Sequence, residues 1–359
     1  MKPGRLLLVT ALAAAALAPR AAAAPGLLLG VDDDSLKWYA HTGSLLSIYR
    51  DLGLGAVRVT LDWSPDESFP AGTDRAELQR TAGAGSSIRV VLAVTGPASS
   101  PPLDAAGRAS YCGFVSNVLA RFPSIKDVAI WTEPNSSQFW RPQKGAAAAY
   151  EALLAQCWDV LHALQPGVNV IATSAAHAKP ARWYADLGKA YRASARTLPI
   201  FDTLGHNPYP NTSAEAPDAR HKGGSIDQGD LARLLAVLHK AFDGTGQPVP
   251  GEGRVTVWYL EDGFQTVPPS GGGLYSGLET DKHAVSESEQ AAQLTAAVEL
   301  AYCQPAVGAF FNFELRDETA LSGWQSGLVR PDWSAKPAFV AYFQAIAAAR
   351  SGTITCPSQ

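Results

Sequence analysis

The feature that most constrains this chain is an alternation. Eight short apolar runs lie at 27–31, 56–61, 88–94, 128–131, 168–172, 200–205, 254–260 and 307–313. Each is followed by a stretch rich in alanine and leucine with helical character, near 43–53, 74–83, 106–122, 145–164, 180–193, 228–243, 285–302 and 335–349. Strands separated by helices cannot pair as tight hairpins, so the repeat calls for a parallel sheet covered by helices. Eight is also the number of units that closes such a sheet, which predicts an α/β fold made of one (β/α)8 TIM barrel. A doubly wound open sheet is the competing arrangement, and it wants a glycine-rich phosphate turn after the first strand. That position reads Gly30-Val31-Asp32-Asp33-Asp34, so the barrel is the expectation.

The N-terminus has the pattern of a signal peptide over residues 1–24. Lys2 and Arg5 precede an apolar run at 6–17, and alanines at 21–24 offer a small-residue cleavage site. Arg20 interrupts the run, and no later stretch reaches the roughly 18 apolar residues of a membrane span. The expectation is a secreted, extracellular protein with a leader of bacterial type and no membrane association after cleavage, residues 25–359 forming one domain. Apolar residues make up 47% of the chain, enough for a large core. The net charge of -4 gives no basic footprint for nucleic acid. Nine tryptophans against one methionine suggest rigid aromatic surfaces.

Cys112, Cys157, Cys303 and Cys356 are spaced too widely for a zinc knuckle, and in an exported chain they read as disulfides. Three connectivities are possible. Cys112 and Cys157 fall on neighbouring predicted helices, and Cys303 can reach the tail that carries Cys356. The expected pairs are therefore 112–157 and 303–356.

In barrels of this kind the chemistry sits at the C-terminal ends of the strands. Strand 4 runs into Trp131-Thr132-Glu133-Pro134-Asn135, and strand 7 delivers Glu261. Alone, Glu133 reads more readily as an acidic residue near a helix N-terminus. Strands 4 and 7 lie on opposite sides of an eight-stranded mouth, however, so their carboxylates face each other across it. Carboxyl pairs about 5–5.5 Å apart serve retaining glycoside hydrolysis, and pairs about 6.5–9.5 Å apart leave room for an inverting water. Two long connections, 206–227 and 262–284, border the same face and read as lids or binding walls. The chain has no His-Glu-x-x-His, no Gly-x-Ser-x-Gly and no lysine placed for a Schiff base. No metal or other cofactor is expected.

The two glutamate segments, Trp131-Thr132-Glu133-Pro134-Asn135 and Leu260-Glu261-Asp262-Gly263-Phe264-Gln265-Thr266, resemble the paired motifs of clan A retaining glycoside hydrolases. That group includes cellulase-like and β-xylosidase-like barrels. The resemblance extends to Val57-Arg58-Val59, His206-Asn207-Pro208-Tyr209-Pro210, Leu315-Arg316-Asp317 and the closing 327–338 segment. It implies that Glu133 is the general acid/base and Glu261 the nucleophile. Arg58 would keep Glu261 ionised, and Tyr209 would orient it. The chain departs from the group at Thr132, where asparagine is usual, at His206-Asn207, where a histidine pair or His-Pro is common, and at strand 8. There Phe311-Asn312-Phe313 lacks the usual tryptophan, and Trp324 is the replacement expected.

Pyranose rings offer apolar C–H faces to aromatic planes, so Trp63, Trp131, Trp140 and Trp324 are candidates for sugar contact. Thr132, His206, Asn207 and Asn312 complete the expected substrate-binding set. Trp158, Trp183, Trp333, His162 and His239 read as packing, and His177 as a residue of the rim. The resemblance implies an enzyme that cleaves β-glycosidic bonds by double displacement, with carbohydrate as its partner; a monomer is expected. A carbohydrate-binding barrel impaired in turnover and a transglycosylase stay open as alternatives.

Overall fold

The computed structural model describes residues 24, 26–39, 41–269 and 273–357. The expected leader, apart from Ala24, and Ser270-Gly271-Gly272 of the 262–284 connection lie outside the described residues. Eight parallel strands close into a barrel in sequence order: β1 (Leu28–Asp32), β2 (Ala56–Asp62), β3 (Arg89–Thr95), β4 (Asp127–Ile130), β5 (Asn169–Ala172), β6 (Thr203–His206), β7 (Val257–Asp262) and β8 (Val307–Phe313). β8 pairs back onto β1, which leaves no free edge. A short helix α1 (Ser35–Trp38), which the alternation did not announce, follows β1. The covering helices are α2 (Thr42–Leu52), α3 (Gly72–Ala84), α4 (Ala105–Arg121), α5 (Ala146–Leu164), α6 (Pro180–Ala193), α7 (Leu231–Phe242), α8 (Glu287–Tyr302) and α9 (Pro337–Ser351).

Strand residues alternate between the helix layer and the barrel interior. On β3, Val90, Leu92 and Val94 pack under the helices, whereas Val91 and Ala93 point inward. The interior is filled by few large groups, Trp258, Leu260 and Phe311, set against Ala56, Ala93, Ala129 and Ala309. Glycine makes two of these fits possible. A Cβ at Gly30 would stand 2.7 Å from the Phe311 ring, and one at Gly205 would stand 2.3 Å from Leu260 Cδ1. Below this layer Arg89 binds Asp127 through two bonds of 2.7 Å, and Asn169 and Thr203 extend the chain of contacts. The lower end of the barrel thus carries a paired polar plug.

β6 starts later than the apolar run 200–205 suggested. Ile200 and Phe201 are buried, but their N–H groups donate to the Gln247 side-chain carbonyl, not to a neighbouring strand. Both expected disulfides are present. Cys112–Cys157 joins α4 to α5, the helices on either side of β4, and Cys303–Cys356 ties the end of α8 to the tail. The loops they close, spanning 45 and 53 residues, restrict the unfolded chain by about 4 kcal/mol each on a chain-entropy account. Among the described residues no helix is long and apolar enough to cross a membrane.

Candidate active site

β4 ends by turning its backbone into a conformation that side chains rarely adopt. Trp131 has φ +63° and Glu133 φ +39°, a choice that costs on the order of 1–3 kcal/mol at each position. Neighbouring groups hold the turn. Trp131 N–H donates to Val94 O at 2.9 Å and to the Tyr111 hydroxyl at 3.0 Å, while its indole N–H donates to Phe139 O. The Tyr150 hydroxyl donates to Ile130 O at 2.7 Å and accepts from Thr173 N–H. Asn135 grips Ala175 with both ends of its amide, each at 2.9 Å. The turn buries Trp131 and carries Glu133 to the mouth of the barrel.

β7 carries Glu261 to the same mouth. Arg58 of β2 reaches Glu261 Oε1 at 2.8 Å, and it also binds Asp32, its register partner at the end of β1. The Tyr209 hydroxyl donates to Glu261 Oε2 at 3.4 Å. Gly263 follows closely because a Cβ there would stand 2.3 Å from Phe313 O. Across the mouth, Asn207 Nδ2 donates to Glu133 Oε1 at 2.8 Å.

These surroundings separate the groups electrostatically. Burial pushes the Glu133 carboxyl up to about 8, and repulsion from Glu261 adds to it, against the Asn207 hydrogen bond and the Arg58 charge. Burial works against the Arg58 cation, but Asp32 and Glu261 outweigh it, so the guanidinium holds its proton more tightly than usual. One cation serves two carboxylates, and burial pushes the deeper one, Asp32, well above the usual range. The Tyr209 phenol is driven upward by burial and by Glu261. It stays a hydrogen-bond donor.

All of these side chains line one cavity of about 840 Å³. On one side stands an aromatic wall: Trp324 lies 5.3 Å from Tyr209 and 5.2 Å from Phe313, ring centre to ring centre. Elsewhere the lining includes polar Ser136 and Gln138 beside Phe139. Among the expected residues, Glu133, Glu261, Arg58, Thr132, Asn207, Tyr209 and Trp324 meet at this cavity.

Five do not. Trp63, Trp131 and Trp140, expected at the sugar, do not line the cavity and are buried together in an aromatic stack. Ring centres lie 6.2 Å apart for Trp63–Trp131 and 5.3 Å apart for Trp131–Trp140. His206 is also buried: its ring contacts Ser174 Oγ and Ile226 O, and burial lowers it to about 4. Such an imidazole is neutral and ties β6 to the loop beyond it. Asn312 turns away to donate to Glu314 O.

Sequence reasoning missed Asp32 and Phe313 as lining residues, and it left His177 at the rim. The signal for the first two was available, because each is the last residue of a barrel strand, the rule that selected Glu133 and Glu261. His177 lines the cavity and its Nε2 contacts Tyr209 O at 2.7 Å.

No protein-family model matches the sequence, and no curated protein matches it either. Solved structures do. GH5_18 from Streptomyces cattleya, in complex with GlcNAc, superposes with a TM-score of 0.62 at 15% identity, covering 93% of this chain and 83% of that one. The exo-β-1,4-mannosidase Op5Man5 from Opitutaceae bacterium strain TAV5 gives 0.58 at 14% identity, with 91% and 60% covered. A GH2 β-galacturonidase from Eisenbergiella tayi gives 0.53 at 14% identity, and this chain spans only 47% of its length while matching over 86% of its own. These likenesses show a shared (β/α)8 barrel fold with solved glycosidase structures.

Proposed function

We propose that this chain is an exported retaining glycoside hydrolase that acts on a β-linked glycan or glycoside. The observation that carries the reading is the unlike pair of carboxyls in one cavity. Glu261 is fixed against a permanent cation, and Glu133 is pushed up to about 8 with an amide as its only hydrogen-bond partner among the described residues. A double displacement needs this difference.

In the first half-reaction Glu261 attacks the anomeric carbon while the Glu133 proton passes to the departing glycosidic oxygen. The products are a covalent glycosyl-enzyme and an ionised Glu133. In the second half Glu133 takes a proton from water, and the resulting oxygen nucleophile releases the sugar from Glu261. Both carboxyls return to their starting states, so no cofactor is required. Arg58 sets its positive charge against Glu261 Oε1, and Tyr209 aims the carboxyl. The wall of Trp324, Phe313 and Tyr209 suits the C–H face of a pyranose ring. The leader-like N-terminus and the two disulfides support export.

The test is a panel of aryl β-glycosides and β-linked polysaccharides, with the product anomer followed by proton NMR from the first turnover. Release of the β-anomer supports the reading. Release of the α-anomer, or no turnover across the panel, overturns it.

A further inference from the structure

Glu133 has two oxygens, and only one of them can deliver a proton usefully. Asn207 Nδ2 donates to Oε1 at 2.8 Å, while no hydrogen bond reaches Oε2 among the described residues. An oxygen that accepts an N–H is poorly placed to carry a proton of its own, because two hydrogens would then point at each other. We propose that Asn207 is a positioning residue that decides which oxygen of Glu133 carries the proton, keeping it on Oε2 through both half-reactions. The inference rests on the reading of Glu133 as the acid/base.

Two further observations support it. The other end of the same amide, Oδ1, is buried without a partner among the described residues. A buried carbonyl left unpaired is unfavourable, so the orientation is retained for what Nδ2 does at Glu133. The backbone under the side chain is also pinned on both sides. Asn207 N–H donates to Ser174 O at 2.9 Å, and Asn207 O accepts from Ala176 N–H at 3.0 Å. Ala175, the bridge partner of Asn207, is the residue gripped by Asn135, two positions beyond Glu133. The glutamate and its amide are therefore held to a common frame.

When Glu133 is protonated, its Oε1 is the carbonyl oxygen and accepts from Nδ2. When it has given up its proton, Oε1 accepts the same bond more strongly, and Oε2 is free to take a proton from water. An aspartate at 207 would reverse this arrangement. It has no donor, but it can accept a proton from Oε1, so the proton would be trapped between the two carboxyls and away from the leaving group. The sharp consequence is that the near-isosteric replacement is worse than removal of the amide.

The experiment compares Asn207→Leu and Asn207→Asp with the wild-type enzyme on aryl β-glycosides of graded leaving-group ability, across pH. Asn207→Leu should lose about tenfold in kcat/KM on poor leaving groups, and its alkaline limb should move up by about one pH unit, since a donor to the charged form is gone. Asn207→Asp should lose at least a further tenfold and move the limb further in the same direction. The other charged or titratable groups that line the cavity with Glu133, namely Glu261, Arg58, Tyr209, Asp32, His177, Asp281 and His283, are unchanged in these variants. Asn207→Ser, with a short hydroxyl donor, should fall between wild type and leucine and serves if leucine fails to fold.

An aspartate variant as active as the leucine or serine variant, or a limb that does not move, overturns the proposal. Glu133→Gln is measured alongside. If it slows good and poor leaving groups equally, the acid/base reading falls and takes this inference with it. If it behaves as an acid/base variant while Asn207→Asp matches wild type, only the inference falls.

Discussion

At the end of β7, Glu261 meets a guanidinium at 2.8 Å and a phenol at 3.4 Å; at the end of β4, Glu133 meets one neutral amide at 2.8 Å. The residue type and the cavity are the same, and the difference lies in what the surrounding elements deliver. β1 and β2 place Asp32 and Arg58 side by side beneath Glu261, whereas the neighbours of β4 spend their polar groups on its backbone. One carboxyl is supplied with charge and the other with a shaped support. Two glutamates on equivalent strand ends thereby become chemically distinct without any difference in their own covalent structure.

The strongest way to break this comparison is at β7. Glu261→Ala should lower turnover by roughly 10⁴-fold, and azide or formate should restore part of it with an inverted product. Undiminished turnover would remove Glu261 from the reaction. Next comes Glu133→Gln, which should cost about 10²–10⁴-fold on glycosides with poor leaving groups and far less on activated aryl glycosides.

Arg58→Met attacks the supply of charge. It leaves two nearly buried carboxylates without their cation and should destabilise the fold by about 3–5 kcal/mol, measured by urea unfolding. Adding Asp32→Asn should recover part of that loss. If the single variant is as stable as wild type, Arg58 is not what holds the β7 side together.

The pH dependence sharpens the comparison from the β4 side. Glu133 must be protonated to act as the acid, so kcat/KM should fall as pH rises through about 8. Stability carries the same sign. The native carboxyl binds its proton more tightly than the unfolded one, so its contribution is present below the ordinary carboxyl range and is lost as pH climbs to about 8. Glu133→Gln removes that loss. The variant should melt higher than wild type at pH 8, by about 2 °C, with the difference shrinking toward pH 4.5. A gap that is constant with pH would show that Glu133 is not strained by ionisation.

Much of the fold was legible because eight apolar runs alternate with eight helical stretches, and parallel strands buried on both faces leave that mark. The two glutamates were legible for a related reason, since strand ends are countable. The tryptophans were not. An aromatic residue just beyond a strand looks the same whether it faces sugar or core, and the positive φ at Trp131 that turns its ring inward leaves no trace in residue types. His206 and Asn207 posed the same problem as neighbours of unknown facing. The structure gives the histidine to the interior and the asparagine to Glu133. Phe313 was weighed only as a missing tryptophan, although its position already put it at the rim.

The Cys112–Cys157 bridge has a consequence for how such a protein can be altered. Tyr111 stands next to Cys112, and Tyr150 lies two helical turns before Cys157, so the bridge staples together the two helices whose hydroxyls support the β4 turn. The grips on that turn, from Val94 to Ala175, fall within one continuous length of chain. The aromatic wall comes from 209, 313 and 324, outside that length. Loops after β7 and β8, and the β6 loop beyond Tyr209, can therefore be exchanged or randomised while the 94–175 support of the β4 turn is carried over intact.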